Sequence, residues 1–363
     1  MKRIASLVTN DLHQDQRMNR ICTALVNDGY DVTLIGRKRK SSGTLDSKPF
    51  HRKRLNCWFE RSVLFYAEYN IRLFFHLLFN SYDIINANDL DTILPAIWVA
   101  KMKGSKVVYD AHEYFTEQEE IVNRPALKSF WKKIERFSIP KVDAAITVSQ
   151  GYADLFLKEY HTKFNIVRNA TILSSPPENC ITNEKYILYQ GAVNYGRGLE
   201  ELLMAMQKVD SKLYICGDGD VLPTLNQLAQ NLDIEDKIHF VGFVQPEKLR
   251  EYTCGATIGL TLFAKGGLSH WHSLANRFFD YMHSGVPQIA MNYPEYASFN
   301  EKDEVAVLIE NIEPDNISTA INQLLSDHEL YQRLSKNART AREHANWQAQ
   351  EKVLLKVYSG LEE

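Results

Sequence analysis

"YILYQGAVNYGRGLEELLMAMQKVDSKLYICG", residues 186–217, reads as strand, glycine turn, helix, strand. Tyr186–Gln190 is a short β-rich run that stops at Gly191. Arg197-Gly198 opens a helix, and a second apolar strand closes on Gly217. A strand–helix–strand unit of this length is a crossover in a parallel sheet, covered on both faces by helices. The same alternation continues outward in both directions. Downstream come "VLPTLNQLAQNL", "KIHFVGF", "EKLREYTCG", "ATIGLTLF", "NRFFDYMHSGVPQIA" and "VAVLI". Upstream, "RIASLVT" (3–9), a helix from Gln16 to Asp28 capped by Asp15 and stopped by Gly29, and "DVTLIG" start a second series that runs to "FNIVRNA" (164–170). The polar stretch 171–185, with Pro176 and Pro177, separates the two as a linker. The expectation is an α/β protein of two doubly wound Rossmann-like domains, 1–170 and 171–345, facing a cleft, with a last helix in 346–363 that could pack on either.

Composition narrows the class. Forty-two Lys+Arg against 45 Asp+Glu give a formal charge of −3, so no basic excess points to nucleic acid. Residues 62–79 are the most apolar stretch but contain Glu68, Arg72 and His76, which argues against a membrane span. No secretory leader is legible at the start. Five cysteines, at 22, 57, 180, 216 and 254, form no C-x-x-C pair, so buried reduced thiols in a cytoplasmic protein are expected rather than zinc or disulfides.

In open α/β sheets ligands bind beyond the carboxyl ends of the strands, and the unusual residues cluster there. After "ATIGLTLF", Gly266, Gly267 and Leu268 form a loop, and Ser273 is a plausible cap for a helix near Leu274; glycine loop plus helix N-terminus suits an anion. On that helix Asn276, Asp280, His283 and Ser284 share one face, while Phe278, Phe279 and Met282 form the packing face. Asp280 is within reach of a ribose beside a bound diphosphate, or is an ordinary surface acid. Gly191 with Arg197 makes a second anion candidate, or Arg197 is a surface residue after a turn. Gly217 and Gly219 follow a strand, but the full dinucleotide fingerprint is missing. Asp218/Asp220 and Asp89/Asp91 have metal-compatible spacing, yet Asp220 and Asp91 suit helix caps better, so no metal is expected. In the first domain, Asp110, His112 and Glu113 end a strand, and Asn10, Asp15 and Arg17 place polar groups at the first loop. His112 could bind a polar substrate or move a proton, or be a structural histidine.

In this order "DQRMNR", "NDGYDVTLI", "YDAHE", "AAITVS", "VRNA", "YQGAVNYGRGLEELL", "LYICGDGD", "IHFVGFV" and "NRFFDYMHSGVPQIA" resemble the retaining nucleotide-sugar glycosyltransferases of family 4 (glycosyl transferases group 1), which have the GT-B fold. The resemblance covers nearly the whole chain. It implies donor binding in the second domain and acceptor binding in the first, with Asn10, Asp15, Arg17 and Glu113 on the acceptor side. Asp280 stands at the family's ribose-holding glutamate and Arg197 at its diphosphate-neutralising basic position. The 266–268 loop donates to phosphate and sugar, the turn with Gly242 and Phe243 lines the base, and His112 touches the sugar near the reacting centre. The donor implied is a UDP- or GDP-type sugar, with no other cofactor. The acceptor implied is a glycan or lipid-linked one, as in cell-surface polysaccharide, lipopolysaccharide or glycolipid synthesis. The C-terminal helix is expected to cross back to the first domain.

Three departures stand out. His272 occupies the place of a second glutamate common in the family, Ala192 replaces a common arginine, and Asp280 is shorter than glutamate. They keep open a non-catalytic nucleotide-sugar-binding module or a sugar-nucleotide epimerase on the same fold. "GRKRK" (36–40) and "HRKRLNCWF" (51–59) precede the aromatic stretch 62–79; this suits peripheral contact with an anionic membrane at its inner face, or is a solvated basic loop beside a packed helix.

Overall fold

A computed structural model describes residues 1–13, 15–181 and 184–361. The chain divides into two compact units. One holds Met1–Arg168 and Gln350–Glu363, the other Asn169–Ala349.

The first unit is a parallel sheet of β1 (Arg3–Leu7), β2 (Asp31–Lys38), β3 (His51–Asn56), β4 (Ile84–Asn88), β5 (Lys106–Ala111), β6 (Ala144–Thr147) and β7 (Asn165–Ile166), in the order β3-β2-β1-β4-β5-β6-β7. Ile4 pairs with Val32 on one side of β1 and Ile84 on the other, so the topological switch lies between β1 and β4. β3 is a finding the sequence did not predict. "HRKRLN" looks like a basic loop because its alternation is cationic, not apolar; at a sheet edge its side chains reach water while its backbone pairs with β2. The strand read over 164–170 shrinks to two paired residues, since only Asn165 and Ile166 reach β6. The last helix, Trp347–Ser359, belongs to this unit from Gln350 onward, where Tyr358 is fully buried with its ring 6.2 Å from that of Tyr30.

The second unit is β8 (Tyr186–Gln190), β9 (Lys212–Cys216), β10 (Ile238–Gly242), β11 (Ile258–Thr261), β12 (Gln288–Met291) and β13 (Ala306–Ile309), all parallel, in the order β10-β9-β8-β11-β12-β13. Its switch point lies between β8 and β11, where Ile187 pairs with Ile258. Every residue of β8 is buried, as a central strand covered on both faces requires. The helix Asn276–His283 packs through Phe278, Phe279 and Met282, each 0–1% exposed and each contributing roughly 1.5–3 kcal/mol of burial.

Four local expectations change. Gly267–Trp271 forms a short helical turn of its own, so the following helix starts at Asn276 after Ala275, with no side-chain cap from Ser273. Asp220 does not cap the helix Leu222–Asn231, and Asp91 lies inside the 3-10 turn Leu90–Thr92. Cys180 and Cys254 are joined in a disulfide instead of standing as free thiols. Their separation of 74 residues hid the pairing, which arises because the linker folds back along the helix Pro246–Gly255, Ile181 N–H donating to the Glu251 carbonyl.

Candidate functional site

In the second unit the loops after β8 and β11 flank the switch point, the place where open sheets leave a crevice. Four side chains converge there. Asp280 Oδ1 accepts from the Thr171 hydroxyl at 2.6 Å and Oδ2 from Gln190 Nε2 at 2.9 Å. Gln190 in turn accepts at Oε1 from Thr253 Oγ1 at 2.8 Å. The carboxylate is thus oriented by the end of β8, the linker and a neighbouring helix. A carboxylate oxygen can accept more than one hydrogen bond. A vicinal diol is the natural partner of two such oxygens. Asn276 lies one turn earlier and is exposed. His283 does not join this face: its Nε2 sits 3.1 Å from the Ala345 carbonyl, and burial pushes its pKa down.

Arg277, passed over in the sequence, packs directly against Gly191. It is 7% exposed, donates from Nη1 to the Gln190 carbonyl at 2.9 Å, and lies over the rings of Tyr189 (4.5 Å) and Phe263 (5.0 Å). Among the described residues it forms no ion pair with a carboxylate, and its buried Nε finds no acceptor. A β-carbon on Gly191 would stand 3.2 Å from Nη1; the glycine, at φ +128°, keeps that close approach free of a side chain. Arg197 lies 5.0 Å from the same Phe263 ring, and His270 stacks on that ring at 4.6 Å. Burial, then Arg197 and Arg277, push the His270 pKa down to about 4, so this imidazole is neutral at pH 7. Two guanidiniums around one aromatic ring, beside the glycine at position 191, form a place for a polyvalent anion. The helix that Gly198 opens contributes less than its position promised, because Glu200 and Glu201 already occupy its first turn.

The glycines divide by role. A β-carbon on Gly217 would come 1.8 Å from the Gly191 carbonyl oxygen, and one on Gly219 2.2 Å from Asn194 Oδ1, so both serve the packing of the loops after β8 and β9. Gly242 (φ +77°) and Gly266 are open to at least 4 Å, and Phe243 and Leu268 are exposed beside them. Gly267 begins the short turn.

In the first unit the expected acceptor-side residues mostly hold one another. Arg17 is buried and forks onto Asp110 at 2.9 and 2.7 Å, with a third bond to the Val167 carbonyl. It is a structural ion pair, not an acceptor contact. Asp15 caps Met18 N–H and accepts from Asn10 Nδ2 at 2.7 Å. Glu113 is exposed and accepts from Gln118. His112 Nδ1 lies 3.4 Å from Asp89 Oδ1. Asp89 sits at φ +56°, a left-handed conformation uncommon outside glycine, and its pKa is raised by burial and then by Glu113, Asp91 and Asp110. Asp91, bonded to Thr9 Oγ1 at 2.8 Å, is pushed up to about 7 by burial.

Residues 15–172 match the model described as Glycosyltransferase Family 4, and residues 174–341 match Glycosyl transferases group 1. The chain belongs to the family 4 glycosyltransferases. The alpha-monoglucosyldiacylglycerol synthase of Streptococcus pneumoniae is 27% identical over 271 residues, covering 64% of this chain and 59% of that enzyme. The chain spans about half the length of the first curated relatives it matches. Among solved structures, sucrose-phosphate synthase from Thermosynechococcus elongatus superposes with a TM-score of 0.80 at 18% identity, over 99% of both chains. Anabaena HepE in complex with UDP and glucose gives 0.76 at 12% identity, over 99% of this chain and all of that one. These likenesses show the GT-B fold that the family shares. Arg277 was legible as the one charge on the apolar face of its helix, and Gln190 as a polar end to a wholly buried strand.

Proposed function

We propose that this chain transfers a sugar from a nucleotide diphosphate sugar, of UDP or GDP type, to an acceptor hydroxyl with retention at the anomeric carbon. The observation that carries the reading is the pairing, at one switch point, of a buried carboxylate-free Arg277 beneath Gly191 with a carboxylate, Asp280, oriented by Thr171 and Gln190. A donor needs both: cations for its diphosphate and a hydrogen-bond acceptor for its ribose. The UDP and glucose in HepE support this donor class, and the name of the pneumococcal relative supports sugar transfer to a lipid.

Bond cleavage puts negative charge on the leaving diphosphate. Arg277 and Arg197 stabilise it at fixed positions, so little reorganisation accompanies the step. A leaving phosphate oxygen takes the acceptor's proton, and the new bond forms on the face the diphosphate leaves. Neutral His270 keeps the site uncrowded by a third cation. The acceptor is a glycan or lipid-linked hydroxyl in polysaccharide, lipopolysaccharide or glycolipid synthesis. The guanidiniums supply the positive charge, so turnover should persist in EDTA.

A thermal-shift screen against UDP-, GDP- and other nucleotide sugars identifies the donor, because a bound donor raises apparent stability. Proton NMR of the first-formed product then reads its anomeric configuration. An inverted product, or tight donor binding with no transfer across an acceptor panel, refutes the proposal.

A further inference from the structure

The helix Ser62–Phe79 carries two apolar stripes, one buried and one exposed. Phe65, Tyr69, Leu73 and Leu77, spaced by four, are 0–3% exposed and pack into the first unit. Leu64, Ile71, Phe75 and Phe79 follow a second stripe at i, i+7, i+11 and i+15, and are 49–79% exposed. An exposed apolar stripe of this length, on a helix whose opposite stripe is already packed, marks a contact surface for lipid or protein. Its outer stripe continues at both ends of the face. Phe75 and Phe79 stack at 6.2 Å, and Trp98 on the next helix, 47% exposed, meets Phe74. Trp58 is 83% exposed and held beside the stripe: its backbone N–H donates to Glu68 at 2.9 Å, and Arg72 lies 4.8 Å over its ring.

The flank of this stripe is cationic. Residues 37–61 carry nine lysines and arginines against two acids, in a chain whose formal charge is −3. Some of these are used internally: Arg37 bonds the Glu60 carbonyl and lies over Phe65, and Arg52 and Lys48 pair with Asp46. Lys38, Lys53 and Arg61 are exposed and form no ion pair among the described residues. A groove of about 410 Å³ joins the edge strand β3 to the helix, lined by Lys53, Arg54, Ile71, Arg72 and Phe75. Lysine and arginine heads therefore sit along one border of an exposed aromatic and aliphatic stripe, with a tryptophan at the boundary.

We infer that this face, built from β3, the Trp58 loop and the outer stripe of Ser62–Phe79, docks onto the surface of an anionic lipid bilayer. Apolar side chains enter the headgroup boundary while the basic border pairs with lipid phosphates. The charge decides against the other occupants. A second copy meeting this face would bring its own basic border against the first, and like charges oppose such a contact. An ordinary soluble partner would need a strongly acidic apolar surface, whereas an anionic membrane offers that combination directly. The inference is independent of the transfer reaction, since vesicle binding requires neither donor nor acceptor.

The test is sedimentation of the full chain with vesicles of phosphatidylcholine, with or without roughly 30 mol% phosphatidylglycerol, in about 0.1 M and about 1 M salt, where the Debye length falls from about 10 to about 3 Å. Two exposed-site variants accompany the wild type, Lys53→Glu/Arg61→Glu and Phe75→Ser/Phe79→Ser, each checked for an unchanged melting temperature. Wild type should pellet with the anionic vesicles only, and high salt should weaken it. Charge reversal should lower partitioning at least about tenfold, and the serine variant should remove what survives high salt. Equal binding to neutral vesicles, no binding at all, or variants that bind like wild type overturn the inference. So does a wild-type dimer that the serine variant converts to monomer, which would assign the face to a second copy.

Discussion

Replacing Arg277 with methionine should leave the ligand-free protein about as stable as before and cost it the diphosphate. The two effects separate because the arginine is buried without a carboxylate partner. Its removal forfeits one charge-assisted hydrogen bond to the Gln190 carbonyl, about 1.5–3 kcal/mol, and cation–π contact with Tyr189 and Phe263, about 0.5–2 kcal/mol. Against this stands relief of the guanidinium's desolvation, several kcal/mol. Methionine fills a similar volume, so the net change lies near zero. Diphosphate binding has no such offset. Losing one charge-assisted contact costs about 1.5–3 kcal/mol, a rise in Kd of about 10- to 150-fold. Differential scanning fluorimetry reads the first quantity. Calorimetric titration with UDP and GDP reads the second, and the corresponding nucleosides, which lack phosphate, serve as controls. The reasoning fails if the Arg277→Met substitution lowers the melting temperature by more than about 5 °C while the diphosphate Kd stays within twofold. It also fails if nucleoside and nucleotide weaken equally.

Asp280→Asn should weaken the nucleotide by about tenfold or more, and the loss should vanish with 2′,3′-dideoxy nucleotides; a double cycle showing no coupling would remove the ribose from Asp280. Gly217→Ala forces a β-carbon into the Gly191 carbonyl, 1.8 Å away, so thermal stability and donor affinity should fall together; an unchanged melting temperature would contradict the loop geometry. Asp91 has a folded pKa raised by burial from 3.8 to about 7. Its contribution is therefore fully present below about pH 4 and is lost as pH rises through about 7, a swing of roughly 4 kcal/mol at most. Asp91→Asn keeps an acceptor for Thr9 and should flatten that part of the urea-denaturation profile between about pH 5 and 8; an identical pH slope in both proteins would refute the shift.

The doubly wound architecture was legible because alternation of buried runs and amphipathic helices is a one-dimensional signal. β8 is five buried residues between polar turns, and the helix 276–283 shows its packing face in Phe278, Phe279 and Met282. What stayed hidden depends on register across the sheet. β3 escaped because an edge strand can alternate charge with charge. The disulfide escaped because nothing local ties residue 180 to residue 254. Arg17 looked like a free polar group at a loop until β5 brought Asp110 beneath it.

Asp280 and Arg277 mark the same boundary from opposite sides. Asp280 was picked out because helical spacing put it on the polar face, and the structure adds what spacing cannot give, the two donors that fix its oxygens. Arg277 lies beside Phe278 and Phe279 on the packing side of the helix, where periodicity assigns a charge no role. In a well-satisfied core such a residue acquires a carboxylate partner, as Arg17 does with Asp110. Among the described residues Arg277 acquires no carboxylate; it bonds the Gln190 carbonyl, lies over the rings of Tyr189 and Phe263, and sits against a glycine. A buried cation completed by a transient anion should stabilise the bound state more than the free one. The melting temperature of the wild type should therefore rise with added diphosphate nucleotide by more than that of the Arg277→Met variant at every concentration. Equal rises would show that the cation is complete without its ligand.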